Sequence, residues 1–245
     1  MSAKIRLVGS ILFATAALSA CGGGGGGTTS PVADTTAPTV APVTAATTFS
    51  LQSGYKNLIV NGQQTQFNIS GTCGGTASIS ASAATGATYE GSPALSTTET
   101  TTANYTGCNL QGNFVPLATY YDSNYSPIGS MIQGNSFGKY FFPATQLPSS
   151  VKVGDSGQLG NETLFPDSTK TVLLGSLARR FVIESDGVSS TSAIANLIVG
   201  RYDSNNQLTT TTQKRYRISS NGSLALVSID VMSATGNIHL IYTAI

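Results

Sequence analysis

The stretch QLTTTTQKRYRI, residues Gln207–Ile218, alternates between two kinds of side chain. One set of alternate positions holds Leu208, Thr210, Thr212, Tyr216 and Ile218, with Lys214 as the exception. The other set holds Thr209, Thr211, Gln213, Arg215 and Arg217. A period of two is typical of a β-strand whose sheet has one buried face and one wet face.

Turn signals lie on both sides of this stretch. Asp203-Ser204-Asn205-Asn206 precedes it and Ser220-Asn221-Gly222 follows it. Asn, Asp and Gly favour tight turns because they tolerate the backbone angles that such turns need. We therefore predict a C-terminal antiparallel meander of four strands: Ala193–Tyr202, Gln207–Ile218, Leu224–Met232 and Ile238–Ile245.

The same pattern extends toward the N-terminus, where we predict eight more strands: Gln64–Ser70, Thr76–Ser82, Thr97–Thr106, Phe114–Tyr121, Pro127–Ile132, Phe137–Phe142, Gln158–Phe165 and Thr171–Glu184. No segment keeps an apolar helical stripe for three turns, and Ser189–Val199 fits either a short helix or a buried strand. The predicted fold is all-β, an antiparallel meander forming a sandwich or a partly closed barrel. It covers residues 49–245, with a subdivision near residue 110 left open.

The first twenty residues have the parts of a secretory signal. Lys4 and Arg6 give a positive start, the segment from Leu7 to Ala17 is apolar, and small residues follow. The apolar run is too short to cross ~30 Å of hydrocarbon, which needs about 20 apolar residues. We expect residues 1–20 to be removed.

A cysteine directly follows the small residues. Leu18-Ser19-Ala20-Cys21 resembles the lipobox of bacterial lipoproteins position by position, over the first 21 residues only. That resemblance implies a diacylglycerol (with palmitate-type chains) on Cys21 and cleavage before it. Gly22 stands where Gram-negative lipoproteins kept at the inner membrane carry aspartate, which implies an outer-membrane anchor.

Residues 21–48 have the composition of a tether. Six glycines follow Cys21, and Thr, Ala, Pro and Val make up most of the rest. Such a segment cannot bury a core, so we expect a disordered Gly/Thr/Pro linker. The glycine run also resembles that of some surface-displayed lipoproteins.

The net charge and the number of cysteines limit the kinds of partner and of bound metal that the chain can have. Without Lys4 and Arg6, ten basic residues remain against eleven acidic ones, so no basic face for nucleic acid is expected.

Once Cys21 is acylated, Cys73 and Cys108 remain, and two cysteines in an oxidising compartment most simply form one disulfide. A zinc site lacks further ligands because the chain has a single histidine, His239. We expect no metal and no cofactor.

Gly154-Asp155-Ser156-Gly157 resembles the nucleophile segment of chymotrypsin-like proteases. A serine nucleophile needs a histidine base, and His239 follows Ser156, whereas that family places histidine first. We therefore interpret the four residues as a turn. The pairs Glu184 with Asp186 and Asp155 with Glu162 are the carboxylates that a glycosidase would use, and most acids here fall at turns.

Three other motifs have structural explanations as well. Asp122-Ser123-Asn124 and Asp203-Ser204-Asn205 carry oxygen ligands at alternate positions but lack the glutamate of an EF-hand loop, so we interpret both as turns. Lys214-Arg215-Tyr216-Arg217 is the main basic cluster, and it is either a solvated strand face or a contact for anionic lipid.

Three functions remain. The first is a non-enzymatic envelope lipoprotein that binds a protein, a lipid or a small apolar ligand. The second is a surface-exposed, adhesin-like lipoprotein, and the third is a hydrolase using Ser156. The C-terminal half loosely resembles uncharacterised lipoproteins of proteobacteria, which implies no function.

Overall fold

The computed structural model of the chain describes residues 47–245 except 113, 135, 141–145, 188 and 190. Cys21 and nearly all of the proposed tether lie outside this part, as does the proposed signal segment. The elements are α1 (Leu51–Asn61), β1 (Gln63–Gly71), β2 (Gly74–Ala81), β3 (Thr85–Tyr89), β4 (Ser92–Thr106), β5 (Leu117–Tyr121), β6 (Pro127–Ile132), β7 (Ser136–Tyr140), β8 (Ser156–Phe165), β9 (Gly175–Ser185), β10 (Ser192–Asp203), β11 (Leu208–Ser219), β12 (Leu224–Ser233) and β13 (His239–Ala244).

Every strand pairs antiparallel with its neighbours in one sheet. From β4 to β13 the strands pair in chain order, β13 pairs with β1, β1 with β2, and β2 with β4. This last pairing closes the sheet into a barrel of twelve strands that leaves out only β3. The predicted all-β antiparallel meander is confirmed, and of the two predicted forms the structure shows the barrel, fully closed.

Local irregularities help the sheet to close. The register shifts in four strand pairs, between Gln158 and Gly160, Tyr120 and Tyr121, Arg201 and Tyr202, and Arg215 and Tyr216. Such bulges bend and twist a strand locally, which lets a wide sheet curl. Closure gives each of the twelve wall strands a hydrogen-bonded neighbour on both sides.

The inner wall of the barrel is mainly apolar and aromatic. In β11, Tyr216 and Ile218 point inward and are buried, as the alternation predicts. Near one end of the barrel the ring of Tyr242 packs edge-on against Phe67 at 6.2 Å between centroids, and its hydroxyl lies 2.7 Å from that of Tyr105. Burial and this hydrogen bond raise the pKa of Tyr242, which keeps the phenol neutral.

The outer face of β11 is only partly exposed to solvent. Arg217 is exposed there, but Thr211 and Gln213 are buried, so the prediction of a wet face is wrong at these two positions. Gln213 accepts hydrogen bonds from Asn196 of β10 and Arg215 of β11, at 2.6 and 2.7 Å. Long polar side chains on neighbouring strands thus share hydrogen bonds and shield one another from solvent.

Helix α1 lies across the end of the barrel where β1 begins, which we call the helix end. The sequence did not predict it, because Gly54 and Val60 weaken its helical pattern. Packing holds it instead: Leu51 and Ile59 are buried. A Cβ on Gly54 would lie 2.2 Å from the carbonyl oxygen of Gly222, so only glycine permits this approach to the β11–β12 turn. No helix among the described residues has the length and apolarity to cross a membrane.

The opposite end of the barrel, the disulfide end, carries the predicted bond between Cys73 and Cys108. Cys73 lies between β1 and β2, Cys108 follows β4, and their Cα atoms are 5.6 Å apart. The disulfide therefore connects the β1–β2 hairpin to the end of β4, beside the β2–β4 pairing that closes the barrel.

Strand β3 is a second element that the sequence did not predict. It pairs with the first part of β4 and places Tyr89 on the outer wall of β5–β7. There the ring of Tyr89 stacks on Phe137 at 5.4 Å and its hydroxyl donates to the carbonyl of Gly138 at 2.6 Å. A Cβ on Gly129 would lie 2.1 Å from this ring, so a glycine in β6 makes room for it.

Candidate functional site

A cavity of about 420 Å³ lies at the helix end of the barrel, between α1 and the inner wall. Its lining comes from α1, the β5–β6 turn, residues 146 and 147, and strands β8–β10. The described residues that line it are Gln52, Ser53, Tyr55, Lys56, Ser123, Asn124, Tyr125, Ser126, Pro127, Gln146, Leu147, Leu159, Arg179, Leu197, Ile198 and Val199.

The apolar part of this lining is not fully packed. Leu197 and Val199 belong to the inward-facing positions of β10, in line with Ala193 and Ala195, which are fully buried. Yet Leu197, Val199 and Leu159 are only partly buried, because they face the cavity. Inward-facing aliphatic side chains that water can reach are the usual lining of a small-molecule site.

One charged group on the wall is held rigidly. Arg179 of β9 donates from Nη2 to Oε2 of Glu162 at 2.6 Å, and Glu162 of β8 is completely buried. The other carboxylate oxygen of Glu162 accepts from the hydroxyl of Ser130 in β6. A Cβ on Gly138 would lie 2.0 Å from Oε1 of Glu162, so a glycine in β7 leaves room for the carboxylate.

This requirement for glycine gives a stability prediction. We expect Gly138→Ala to displace the Glu162 carboxylate and to lower the free energy of unfolding by about 1–3 kcal/mol, as overpacking of a buried site does. Gly86→Ala is the matched control, because no atom lies within 4 Å of its Cβ position and its backbone has no positive φ. Chemical denaturation of both variants tests the prediction, and equal losses would refute it.

The mouth of the cavity carries a second cation. Lys56 of α1 is exposed, and its Nζ lies 4.6 Å from the centroid of the Tyr125 ring in the β5–β6 turn. A cation over an aromatic face is weakly attracted by the ring, which here connects α1 to the turn. None of the described residues that line the cavity is acidic.

A smaller cavity of about 170 Å³ adjoins the first and shares Arg179, Leu197 and Val199 in its lining. It contains an ion pair: Nζ of Lys214 lies 2.8 and 2.6 Å from the two carboxylate oxygens of Glu99. Burial opposes the charge of Lys214, but the carboxylate of Glu99 outweighs it and raises the pKa of the lysine. Lys214, the exception in the alternation of β11, is thus an inward-facing residue with its partner across the barrel.

The structure does not bring Ser156 and His239 together. Ser156 begins β8 at the helix end, and His239 begins β13 at the disulfide end. The Nε2 atom of His239 lies 3.1 Å from Oδ1 of Asp230 on the outer wall. Asp155 accepts a hydrogen bond from the backbone N–H of Lys152 at 2.9 Å, as the turn interpretation predicts.

The predicted carboxylate pairs have other partners. Asp186 pairs with Arg217 at 2.7 Å and Glu184 with Arg215 at 3.4 Å, both on the outer wall. Glu162 faces inward with Arg179, so Asp155 of the helix-end turn and Glu162 do not form a pair that flanks one substrate. The basic cluster at 214–217 is divided by the strand, with Lys214 and Tyr216 inside and the two arginines outside.

Both Asp-Ser-Asn motifs form turns. Oδ1 of Asp122 accepts from the backbone of Asn124 and Ser126, and Oδ1 of Asp203 accepts in the same way from Asn205 and Gln207. Three or more acidic, histidine or cysteine side chains in metal-binding proximity are not found anywhere in the described part of the chain.

The sequence did not single out Arg179, Lys56 or the cavity. Arg179 and Arg180 are adjacent in β9, and only the parity of buried Leu177, Phe181 and Ile183 indicates that Arg179 is the inward one. This alternation can be recognised in the sequence. The helix that carries Lys56 could not be predicted from the sequence, so the position of this second cation could not be predicted either.

Comparison with known proteins adds no assignment. A scan against protein-family models and searches of curated proteins and of solved structures each find no match to this chain.

Proposed function

We propose that this protein is a non-enzymatic binding protein of the cell envelope that holds a small, largely apolar ligand in the cavity beneath α1. The observation that carries the proposal is the partly exposed aliphatic lining of Leu159, Leu197 and Val199 on the inside of a closed barrel. Leaving such side chains in contact with water costs about 25 cal/mol for each Å² of apolar surface, and a ligand that covers them recovers this free energy.

The size of the cavity supports this function. Small-molecule sites usually have volumes of about 300–1,000 Å³ and combine an apolar lining with a few polar groups that fix orientation. The cavity beneath α1 has about 420 Å³, an aliphatic wall, and polar groups from Gln52, Asn124 and Arg179. A barrel rich in paired strands also gives this lining a rigid support.

The proposed location depends on Cys21. Acyl chains on this residue would anchor the protein in the outer membrane, since each buried methylene contributes about 0.8 kcal/mol and two or three chains bind firmly. Residues 21–48 would then act as a tether that lets the barrel stand clear of the headgroups. Gly22 supports the outer rather than the inner membrane.

A ligand panel tests the binding function. In the chain that begins at residue 21 with Cys21→Ser, which carries neither acyl chains nor the apolar signal segment and so avoids detergent, we expect small apolar molecules to raise the melting temperature in a dose-dependent way. Val199→Phe fills the cavity and should abolish the shift. The matched control is Val182→Phe, the same change at an outward position of β9, which should keep it. A shift that survives Val199→Phe, or a panel that gives no shift, contradicts the proposal.

A separate experiment tests the anchor. We expect wild-type protein to fractionate with the outer membrane and to carry the mass of the acyl chains on a chain that begins at Cys21. Cys21→Ser should lose both the acyl mass and the cleavage before residue 21. An unchanged processed mass in the variant would refute lipidation.

A further inference from the structure

We propose that the ligand of the cavity beneath α1 is an uncharged aliphatic molecule whose polar end both donates and accepts a hydrogen bond, as a hydroxyl group does. The polar end binds between Glu99 and Lys214 in the adjoining cavity. This inference rests on the proposed function and adds the chemical class of the ligand to it.

The first argument is that the inward-facing charges are already balanced. Arg179 pairs with Glu162, and both carboxylate oxygens of Glu99 lie within 2.8 Å of Nζ of Lys214. The remaining charged residue in the described linings of the two cavities is Lys56, which is exposed at the mouth. A charged ligand group would lose its hydration inside without meeting an unbalanced counter-charge, and an uncharged ligand avoids this cost.

The second argument is that the aliphatic wall lies beside the ion pair. Lys214 is the direct cross-strand partner of Leu197 in the pairing of β10 with β11. Directly paired residues on one face of a sheet have Cβ atoms about 4.5–5.5 Å apart. Leu197 and Val199 line both cavities. A ligand whose body covers these two side chains can therefore reach the ion pair with one end.

The third argument is that the ion pair offers hydrogen-bonding groups to the cavity. The side chains of Glu99 and Lys214 point into the barrel and are still 25% exposed, and both line the smaller cavity. Among the described residues, the hydrogen bonds of Nζ go to the two oxygens of Glu99. An ammonium group has three N–H donors and each carboxylate oxygen has two lone pairs. One donor and further acceptor positions thus remain for a ligand.

These groups define the polar end of the ligand. A hydrocarbon end would displace water from the ion pair without replacing its hydrogen bonds, which is costly at a buried site. A hydroxyl group can accept from Nζ of Lys214 and donate to the carboxylate of Glu99, and a primary amide can do the same. A sugar would leave the aliphatic wall uncovered. A medium-chain alcohol covers the wall and satisfies the pair.

Four probes of similar size separate charge and hydrogen bonding from shape: 1-octanol, its isomer methyl heptyl ether, octanoate and octylammonium. Calorimetry measures their binding to the chain that begins at residue 21 with Cys21→Ser. We expect 1-octanol to bind most tightly and the ether about 10-fold more weakly, because the ether cannot donate a hydrogen bond to Glu99. An ether that binds as tightly as the alcohol, or a charged probe that binds most tightly, overturns the inference while leaving the binding function intact. Failure of all four to bind overturns both.

A double variant locates the hydroxyl group. Glu99→Leu with Lys214→Met removes both charges together, so neither is left unpaired. We expect it to lose the roughly 10-fold preference for 1-octanol over the ether and to keep its affinity for the ether, which shows that the cavity is intact. Glu90→Leu with Lys139→Met makes the same two changes at an ion pair outside both cavities and should keep the preference. A preference that survives the first double variant, or that both double variants lose equally, overturns the inference.

A measurement without these substitutions keeps the inference testable if the first double variant does not fold. NMR of the lysine side-chain nitrogens reports on Nζ of Lys214 directly. We expect its resonance to shift when 1-octanol is added and to change little when methyl heptyl ether is added. Equal shifts with both probes, or no shift with 1-octanol although it binds, would place the hydroxyl group elsewhere and overturn the inference.

Discussion

Glu162→Gln is expected to lower the free energy of unfolding by about 3 kcal/mol or more. Removing one partner of a buried ion pair typically costs about 3–5 kcal/mol, because the remaining charge is left without compensation in a poorly solvated place. Glu162 is completely buried and the side chain of Arg179 is 24% exposed, so little water is available to replace the carboxylate. The substitution keeps the shape of the side chain, removes its charge and replaces one of its two acceptor oxygens by an NH2 donor.

The matched control is Glu90→Gln. Glu90 pairs with Lys139 and Lys170, but these lysines are 40% and 33% exposed, and exposed pairs contribute about 0–1 kcal/mol. Chemical denaturation of both variants gives the comparison. For a domain of this size, ~3 kcal/mol corresponds to a fall in melting temperature of about 6–12 °C. Equal losses in the two variants would show that burial does not set the strength of the Glu162–Arg179 pair.

A double-mutant cycle separates charge from packing at this pair. Arg179→Met in the Glu162→Gln background removes the stranded cation, so we expect it to recover part of the lost stability. Recovery would assign the loss to the unpaired charge. A further loss of the same size as in the wild-type background would assign it to packing.

Much of the barrel could be predicted from the sequence because its signals are local. Alternation and turn residues are properties of neighbouring positions. They predicted Pro127–Ile132 as the structure has it, and the last four strands to within one residue at every boundary. Closure could not be predicted in the same way. It depends on the pairing of β2 with β4 and of β1 with β13, whose paired residues are far apart in the chain.

The site was harder to predict because its parts are distant and individually ordinary. Glu162, Arg179 and Ser130 are unremarkable residues in three strands, and only the barrel brings them into contact. The helix that covers them has a weak pattern of its own and is stabilised by burial of Leu51 and Ile59. Tertiary packing therefore stabilises an element that the local signal did not predict.

The second large effect is expected at the disulfide. Replacing both Cys73 and Cys108 by alanine should lower the free energy of unfolding by about 4 kcal/mol, because a bond that closes a loop of this length restricts the unfolded chain by that amount. The two residues are 35 positions apart, and the bond lies beside the β2–β4 pairing that closes the barrel. Alanine avoids placing an unpaired hydroxyl at position 73, where the cysteine is 2% exposed. Denaturation of the wild-type chain in a thiol reductant is the matched control and should reproduce the midpoint of the variant. If the variant and the reduced protein both unfold at the midpoint of the oxidised wild type, the β2–β4 pairing is sufficient to close the barrel without the covalent bond.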